Sequence, residues 1–254
     1  MEKLSVVIAT KNEEKSIRRC LESVKWADEI IIVDDMSNDK TIEIAKQYTS
    51  RIIINDSKGR FHKNKNIGIE NAAYEWVLSL DADEVITPEL ALEIKNAIKN
   101  SNKLGYYINR KNYFLNKWVR GCGWYPDYII RLFRKGTTYW PIEIHDTPKI
   151  EPKDKVGKLK SSLIHYSYSS FGQYFEKFNY YTTILSQEEK EKSVRINRRN
   201  FILYFFIKPL YWFTRKYLLL EGYKDGFIGF FISLSSALTI FITYAKLWEW
   251  QREL

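Results

Sequence analysis

Trp76-Val77-Leu78-Ser79-Leu80-Asp81-Ala82-Asp83-Glu84 runs from an apolar strand straight into three carboxylates, and Thr87-Pro88 then signals a helix start. By the two-residue period of a strand, the side chains of Asp81 and Asp83 point the same way. Like charges this close repel and raise one another's pKa unless a cation lies between them. Hard divalent ions such as Mg²⁺ use one or two protein carboxylates and complete their shells with water and phosphate oxygens. An Asp-x-Asp leaving a buried strand therefore suggests a site for a metal ion and a diphosphate, set against the plainer reading of a solvated turn.

Working outward, apolar runs at 4–9, 29–33, 51–54 and 75–80 read as buried strands. Between them, helices are expected at 13–26, at 41–46 with Asp39 as its cap, and at 64–73, and a further one at 87–100 with Pro88 in its first turn. In the first of these, Ile17, Cys20, Leu21 and Val24 follow the i, i+3, i+4, i+7 spacing of an apolar face. Strand–helix alternation of this kind predicts an α/β fold, a mostly parallel sheet flanked by helices on both faces. Ligands of such sheets bind beyond the carboxyl ends of the strands. Thr10, Asp34, Asp35, Asp81 and Asp83 all fall at such ends.

After Gly105 the character changes to short aromatic strands, expected at 106–109, 112–115 and 128–133. A loop is expected at 121–127, and the polar segment 151–160 reads as a surface excursion. The net charge of +9 and pI near 9.2 imply an anionic partner. Zinc-ligand spacing, a basic zipper and an RNA-stacking motif are all missing from the sequence, which argues against nucleic acid. Cys20 and Cys122 have no metal-like spacing, and Cys20 reads as a small hydrophobe. The first residues enter a strand at once, so no secretory signal is read and a cytoplasmic location is expected.

The last fifth differs again. Residues 201–254 hold 16 aromatics, and Arg195, Arg198, Arg199, Lys208, Arg215 and Lys216 flank or punctuate them. The stretch 226–245 carries no charge over a length that suits a membrane helix, yet it contains five Ser and Thr residues. Three readings stay open for this region: helices lying at an anionic cytoplasmic membrane surface, a true span, or a helical core or homo-oligomer element.

Four segments occur in the order found in family 2 glycosyltransferases. They are Ser5-Val-Val-Ile-Ala-Thr-Lys-Asn-Glu-Glu14, Ile31-Ile-Val-Asp-Asp-Met-Ser-Asn-Asp-Lys-Thr41, Lys63-Asn-Lys-Asn-Ile-Gly68 and Leu78-Ser-Leu-Asp-Ala-Asp-Glu84. Gly123-Trp-Tyr-Pro-Asp-Tyr-Ile-Ile-Arg-Leu-Phe-Arg134 and Tyr223-Lys-Asp-Gly-Phe-Ile-Gly229 resemble the bacterial branch that contains lipopolysaccharide-core β-glucosyltransferases. The resemblance implies a GT-A fold, a nucleotide-sugar donor, a divalent cation (Mg²⁺ or Mn²⁺) and inversion at the anomeric carbon. It divides the chain into a catalytic domain at 1–190, with a donor half at 1–104 and an acceptor half at 105–190, and a helical region at 191–254.

The resemblance also assigns roles. Thr10 and Asn12 stand where uracil and ribose contacts are expected, though an N-cap is the alternative. Asp34 and Asp35 would accept hydrogen bonds from the base and ribose, or else form a turn with Ser37 and Asn38. Lys65, read in a polar loop, and Arg131 join the donor site, and His62 is placed near phosphate. Asp83 is the first metal ligand, with His145 and His165 where this fold places a metal-binding histidine, or else structural. Asp81 reaches ribose or a metal-bound water. Asp127 resembles the general base, the alternative being a pair with Arg131 or Arg134; Asp146 or Glu143 is the second choice. Trp118, Trp124, Tyr125 and Trp140 either stack on acceptor sugars or pack a small aromatic subdomain.

The expected activity is transfer of a hexose from a UDP-sugar to a membrane-borne saccharide or glycolipid in cell-envelope synthesis. A protein or peptide acceptor, or a nucleotide-sugar-binding assembly protein without turnover, are the other readings.

Overall fold

The computed structural model describes residues 2–99, 101–141 and 147–252. They form two compact units: Met1–Lys111 with Asp127–His165, and Asn112–Pro126 with Tyr166–Leu254. The strands are β1 (Leu4–Thr10), β2 (Glu29–Asp34), β3 (Ile52–Ile54), β4 (Trp76–Asp81) and β5 (Glu84–Val85). They continue with β6 (Gly105–Phe114), β7 (Lys117–Trp118), β8 (Tyr128–Arg134) and β9 (Val156–Tyr168). Through residue 81 the parallel expectation holds, with β1 pairing parallel to β2 and β4, and β2 parallel to β3. Beyond β4 the sheet becomes mixed, because β8 returns antiparallel to β4 and β6 lies antiparallel to β8.

Two sequence expectations are corrected here. The aromatic strands at 106–109 and 112–115 are one continuous strand, β6, with an irregularity at Tyr106/Tyr107. The segment 156–160, read as a surface excursion, opens the long strand β9. Its polar residues alternate with the buried Leu159 and Leu163, a half-exposed pattern whose polar half resembles a loop in sequence.

Side-chain alternation divides the core of the first unit. Leu4, Val6 and Ile8 of β1 point into one cluster, where α1 (Ile17–Val24) contributes Ile17, Cys20, Leu21 and Val24. The same cluster holds Leu90, Ile94 and Ile98, the apolar face of a helix at Pro88–Ile98. Val7, Ile31, Val33 and Val77 point the other way, against Ile69. Ile69 lies on a helix at Phe61–Asn71, so in chain order the short helix Thr41–Ala45 is α2, Phe61–Asn71 is α3 and Pro88–Ile98 is α4. Thr87 caps α4 by accepting from the Leu90 N–H at 3.2 Å. Each strand end is thus held between two apolar layers, and the polar residues that follow it are fixed at the rim.

In the second unit, Phe114 is fully buried, with the rings of Trp124, Tyr168, Phe171, Tyr174 and Phe231 centred 5.4 to 6.4 Å away. Its helices are α5 (Phe171–Glu191), α6 (Lys208–Thr214) and α7 (Phe227–Arg252). Two π-helical turns, Leu203–Ile207 and Arg215–Leu219, extend α6 on both sides into one helical segment. Trp124 therefore serves the aromatic core, the packing alternative of its two sequence readings.

Gly68 is where α3 touches the sheet: a Cβ there would sit 2.2 Å from Val7 Cγ1 and 3.1 Å from Val33 Cγ2. Both neighbours are fully buried β-branched side chains with little freedom to retreat. Gly68→Ala should therefore cost about 1–3 kcal/mol in urea unfolding; an unchanged midpoint would show that α3 shifts freely on the sheet.

Candidate active site

The carboxyl ends of β1, β2 and β4 lie side by side, with Thr10 in register with Asp34 and Ala9 with Asp81. Thr10 is buried there, and its hydroxyl has no hydrogen-bond partner among the described residues. Asn12 is exposed at φ 52°, tied to the β2 end by its N–H to Ser37 Oγ (2.8 Å) and by its side-chain oxygen, which accepts from Asn38 N at 2.9 Å. It does not cap α1, which begins five residues later at Ile17.

The two acids at the end of β2 are both buried and already bonded. Asp34 accepts from the Ser37 N–H and hydroxyl at 2.8 and 2.5 Å, the turn geometry foreseen as its alternative role. Asp35 accepts from Ser57 N at 2.7 Å and Ser57 Oγ at 3.0 Å, and pairs with Lys11 Nζ at 3.1 Å. Burial works to raise its pKa, but the Ser57 bonds and the Lys11 ammonium outweigh it and hold the carboxyl below its ordinary value.

The centre of the rim is Asp81. Lys65 Nζ lies 2.6 Å from one of its oxygens and Arg131 Nη2 2.7 Å from the other. Burial again pushes its pKa up, and the two cations more than reverse that, leaving the carboxyl well below the usual range. Arg131 also bonds Glu84 at 2.5 Å, and Glu84 accepts the Asp81 N–H at 3.0 Å. Arg131 is fully buried, yet its Nε and Nη1 lack acceptors among the described residues. Lys65 is not in a loop: it sits in α3 with its side chain buried, and burial lowers the pKa of its ammonium despite the Asp81 partner. The misreading has a physical source, since the buried face of α3 is His62, Asn64, Lys65, Gly68 and Ile69, a polar face turned inward.

Trp140 is a residue whose role the sequence left open. Its ring is buried, 3.7 Å from Lys65 Nζ and 4.9 Å from the Arg131 guanidinium carbon, while its indole N–H donates to Ser79 Oγ at 3.0 Å. It is thus an aromatic floor under both cations rather than an exposed sugar platform. His62 packs against it at 4.9 Å and donates from Nδ1 to the Pro141 carbonyl at 2.7 Å. Burial and the nearby Lys65 lower the pKa of His62, so it is held as a neutral packing residue.

Asp127 begins β8's approach and pairs with neither Arg131 nor Arg134. Arg110 holds it instead, with Nη2 and Nε both on Oδ2 at 2.8 and 2.9 Å. The Asp127 N–H donates to Asn109 Oδ1 at 2.8 Å, so β6 fixes both its backbone and its side chain. Arg110 also approaches Glu84 at 3.7 Å, which makes one chain of charges from Lys65 through Asp81, Arg131, Glu84 and Arg110 to Asp127. The sequence reading missed Arg110, which fell between the strands expected at 106–109 and 112–115 and lies inside β6 only because the two are one strand. Arg134 bonds Glu75.

Asp83 lies past the end of β4, and its Oδ2 is 3.5 Å from His165 Nε2. His165 faces Glu84 across the β5–β9 pair. Among the described residues no group of three or more His, Cys, Asp or Glu gathers closely enough to enclose an ion. Asp83 with His165 nonetheless offers a hard oxygen and an imidazole nitrogen side by side, and a Mg²⁺-like ion completes its shell with water and phosphate oxygens. The rim's acids Asp34, Asp35, Asp81, Asp83, Glu84 and Asp127 also outnumber its cations Lys11, Lys65, Arg110 and Arg131, an excess that a divalent cation would offset. The donor set fits the ion. His145, Asp146 and Glu143 lie outside the described residues.

The site is thus a rim of acids and buried cations at the end of the sheet's parallel half, with an acid held at the adjoining antiparallel strand. Residues 5–148 match the family model "Glycosyl transferase family 2". An uncharacterized glycosyltransferase of Rickettsia typhi is 30% identical across 98% of this chain and 88% of its own length. The lipopolysaccharide core biosynthesis glycosyltransferase LpsC of Rhizobium meliloti is 26% identical across 97% of this chain and 92% of its own. Among solved structures, S. aureus TarS 1–349 in complex with UDP shares the fold at a TM-score of 0.50 and 16% identity, over 96% of this chain and 91% of that one. The chain belongs to glycosyl transferase family 2.

Because its folded pKa is depressed, Asp81 contributes stability that is fully present above the unfolded carboxylate value of about 3.9 and lost as pH falls through the lower folded value. Asp81→Asn should therefore flatten the acid limb of stability against pH below about 4. At neutral pH it should cost about 3–5 kcal/mol, because Lys65 and Arg131 lose the charge between them. Urea titrations at a series of pH values test this; an acid limb as steep as the wild type's would remove Asp81 from the account.

Proposed function

We propose that the enzyme transfers a hexose from UDP-hexose to a hydroxyl of a membrane-borne saccharide or glycolipid, with inversion, in the synthesis of a cell-envelope polysaccharide. The observation that carries this reading is the continuous charge chain from Lys65 to Asp127, which spans a diphosphate-suited rim and a held carboxylate within one unit. LpsC, whose name assigns it to lipopolysaccharide core biosynthesis, supports the choice of an envelope saccharide.

Thr10 offers the nucleoside a hydroxyl that has no partner among the described residues, and Asp35, whose N–H donates to the Thr10 carbonyl at 2.9 Å, lies beside it as an acceptor for base or ribose. Lys65 and Arg131 face the diphosphate, and the orphan N–H groups of Arg131 are donors that a phosphate oxygen would satisfy. Asp83 with His165 would hold Mg²⁺ or Mn²⁺, which when bound supplies Lewis-acid stabilisation of the leaving diphosphate. Asp127 takes the proton of the acceptor hydroxyl as its oxygen attacks the anomeric carbon, the sugar–diphosphate bond breaks and UDP departs. Arg110 fixes the direction of that carboxylate from behind.

Asp127→Asn should leave UDP binding intact and reduce transfer by about 10²–10⁴-fold; full activity would dismiss Asp127 as the base. Asp83→Ala should lose the increase in melting temperature that UDP gives in the presence of Mn²⁺, since a ligand bound to the native state raises apparent stability. Normal Mn²⁺-dependent stabilisation of that variant would move the ion elsewhere. The same melting measurement across a panel of nucleotide sugars tests the donor, and a larger response to a non-uridine sugar would overturn UDP-hexose.

A further inference from the structure

The helical segment 201–219 and α7 present rows of side chains that water does not favour. From 201 to 219 every exposed residue is apolar or tyrosine, including Phe206 (61% exposed), Leu210 (64%) and Leu219 (76%). On α7 the exposed positions from 227 to 248 are Phe227, Phe230, Leu234, Leu238, Phe241 and Trp248, whose spacing of three, four and seven residues marks one stripe. The two helices run antiparallel, as Tyr204 stacks on Tyr244 at 3.9 Å while Phe213 meets Phe230 at 5.9 Å. Ring contacts Phe201–Phe205 and Phe205–Phe241 join the two rows into one surface. A contiguous apolar surface of this kind marks an interaction site.

Charge selects the occupant. From 192 to 220 the chain has seven lysines and arginines and no acid. Arg195, Arg198 and Arg199 are exposed beside the apolar row, whereas Lys208 and Lys216 turn inward, to the Tyr244 hydroxyl at 3.0 Å and the Cys122 carbonyl at 2.8 Å, so the three arginines are the cations open to headgroups. Pairing with a second copy would set the same cationic fringe on both sides. The opposite face of α7 is already committed to the protein, with Gly229, Ile232, Ser233, Ser235, Thr243 and Leu247 buried. Only one side of α7 is therefore available to lipid, although its length and composition would suit a span.

We propose that the 201–219 segment and α7 lie together in the plane of a bilayer surface, apolar rows inserted among the acyl chains and the arginines on anionic headgroups. This extends the reading of a membrane-borne acceptor and names the surface that would bring the enzyme to it. The test is flotation of the full chain with vesicles of phosphatidylcholine alone or mixed with phosphatidylglycerol. Wild type should float with the anionic vesicles, and Arg195→Gln/Arg198→Gln/Arg199→Gln should lower partitioning at low salt by about a hundredfold. Leu210→Glu/Leu219→Glu should abolish flotation with an unchanged melting temperature, because both side chains are exposed. Equal binding to neutral vesicles would overturn the anionic headgroups. A lipid-free dimer dissociated by Leu210→Glu/Leu219→Glu, with no flotation of wild type, would make a second copy the occupant. UDP-dependent stabilisation is the separate readout, expected in wild type and in these variants alike: its absence in wild type would count against the proposed donor chemistry and leave the flotation result standing.

Discussion

Asp81 held between Lys65 and Arg131 is the contact on which the rest of the molecule converges. Two cations with buried side chains meeting one carboxylate would be costly without compensation, since each charge loses its water. The compensation is visible: Trp140 lies beneath both cations, Glu84 takes the second load of Arg131, and the Asp81 N–H returns to Glu84. The cluster draws on α3, β4, β5 and β8, so its buried charges are neutralised only where these elements of the mixed sheet and its helix meet. Removing any member leaves the others exposed to the same desolvation.

This arrangement also explains how a general fold acquires a particular site. Parallel strands β1, β2 and β4 end side by side because apolar layers grip them from both faces, and their following residues have no choice but the rim. Antiparallel β8 then brings Arg131 under that rim and Asp127 to its edge, where β6 supplies Arg110. The donor-side cations and the held acid thus belong to one electrostatic chain. Four contacts within one unit join Asp81 to Asp127.

The second unit follows a different logic. Its aromatic residues divide between a buried cluster around Phe114 and outward rows on the last helices. Composition alone does not separate these groups, since both are rich in Phe and Tyr. Packing does: Phe231 and Tyr174 close on Phe114, while Phe227, Phe230 and Phe241 stay exposed on the outward stripe of α7. The polar Ser233 and Ser235, which weaken a simple spanning reading of α7, are on its buried side.

The order and type of the first elements were legible because their apolar periods are local, as at Ile17, Cys20, Leu21 and Val24, and because strand-end acids are local too. Family membership was legible for the same reason, its motifs being short runs at strand ends. The polar inward face of α3 was not, since a buried Lys65 has the pattern of a surface residue until its partner Asp81, sixteen positions away, is in place. Arg110 gripping Asp127 and Trp140 flooring the cations were equally hidden. These are contacts between residues remote in the chain, and no period or spacing encodes them; they exist only when β6, β8 and α3 are brought together by burial of the sheet's two faces.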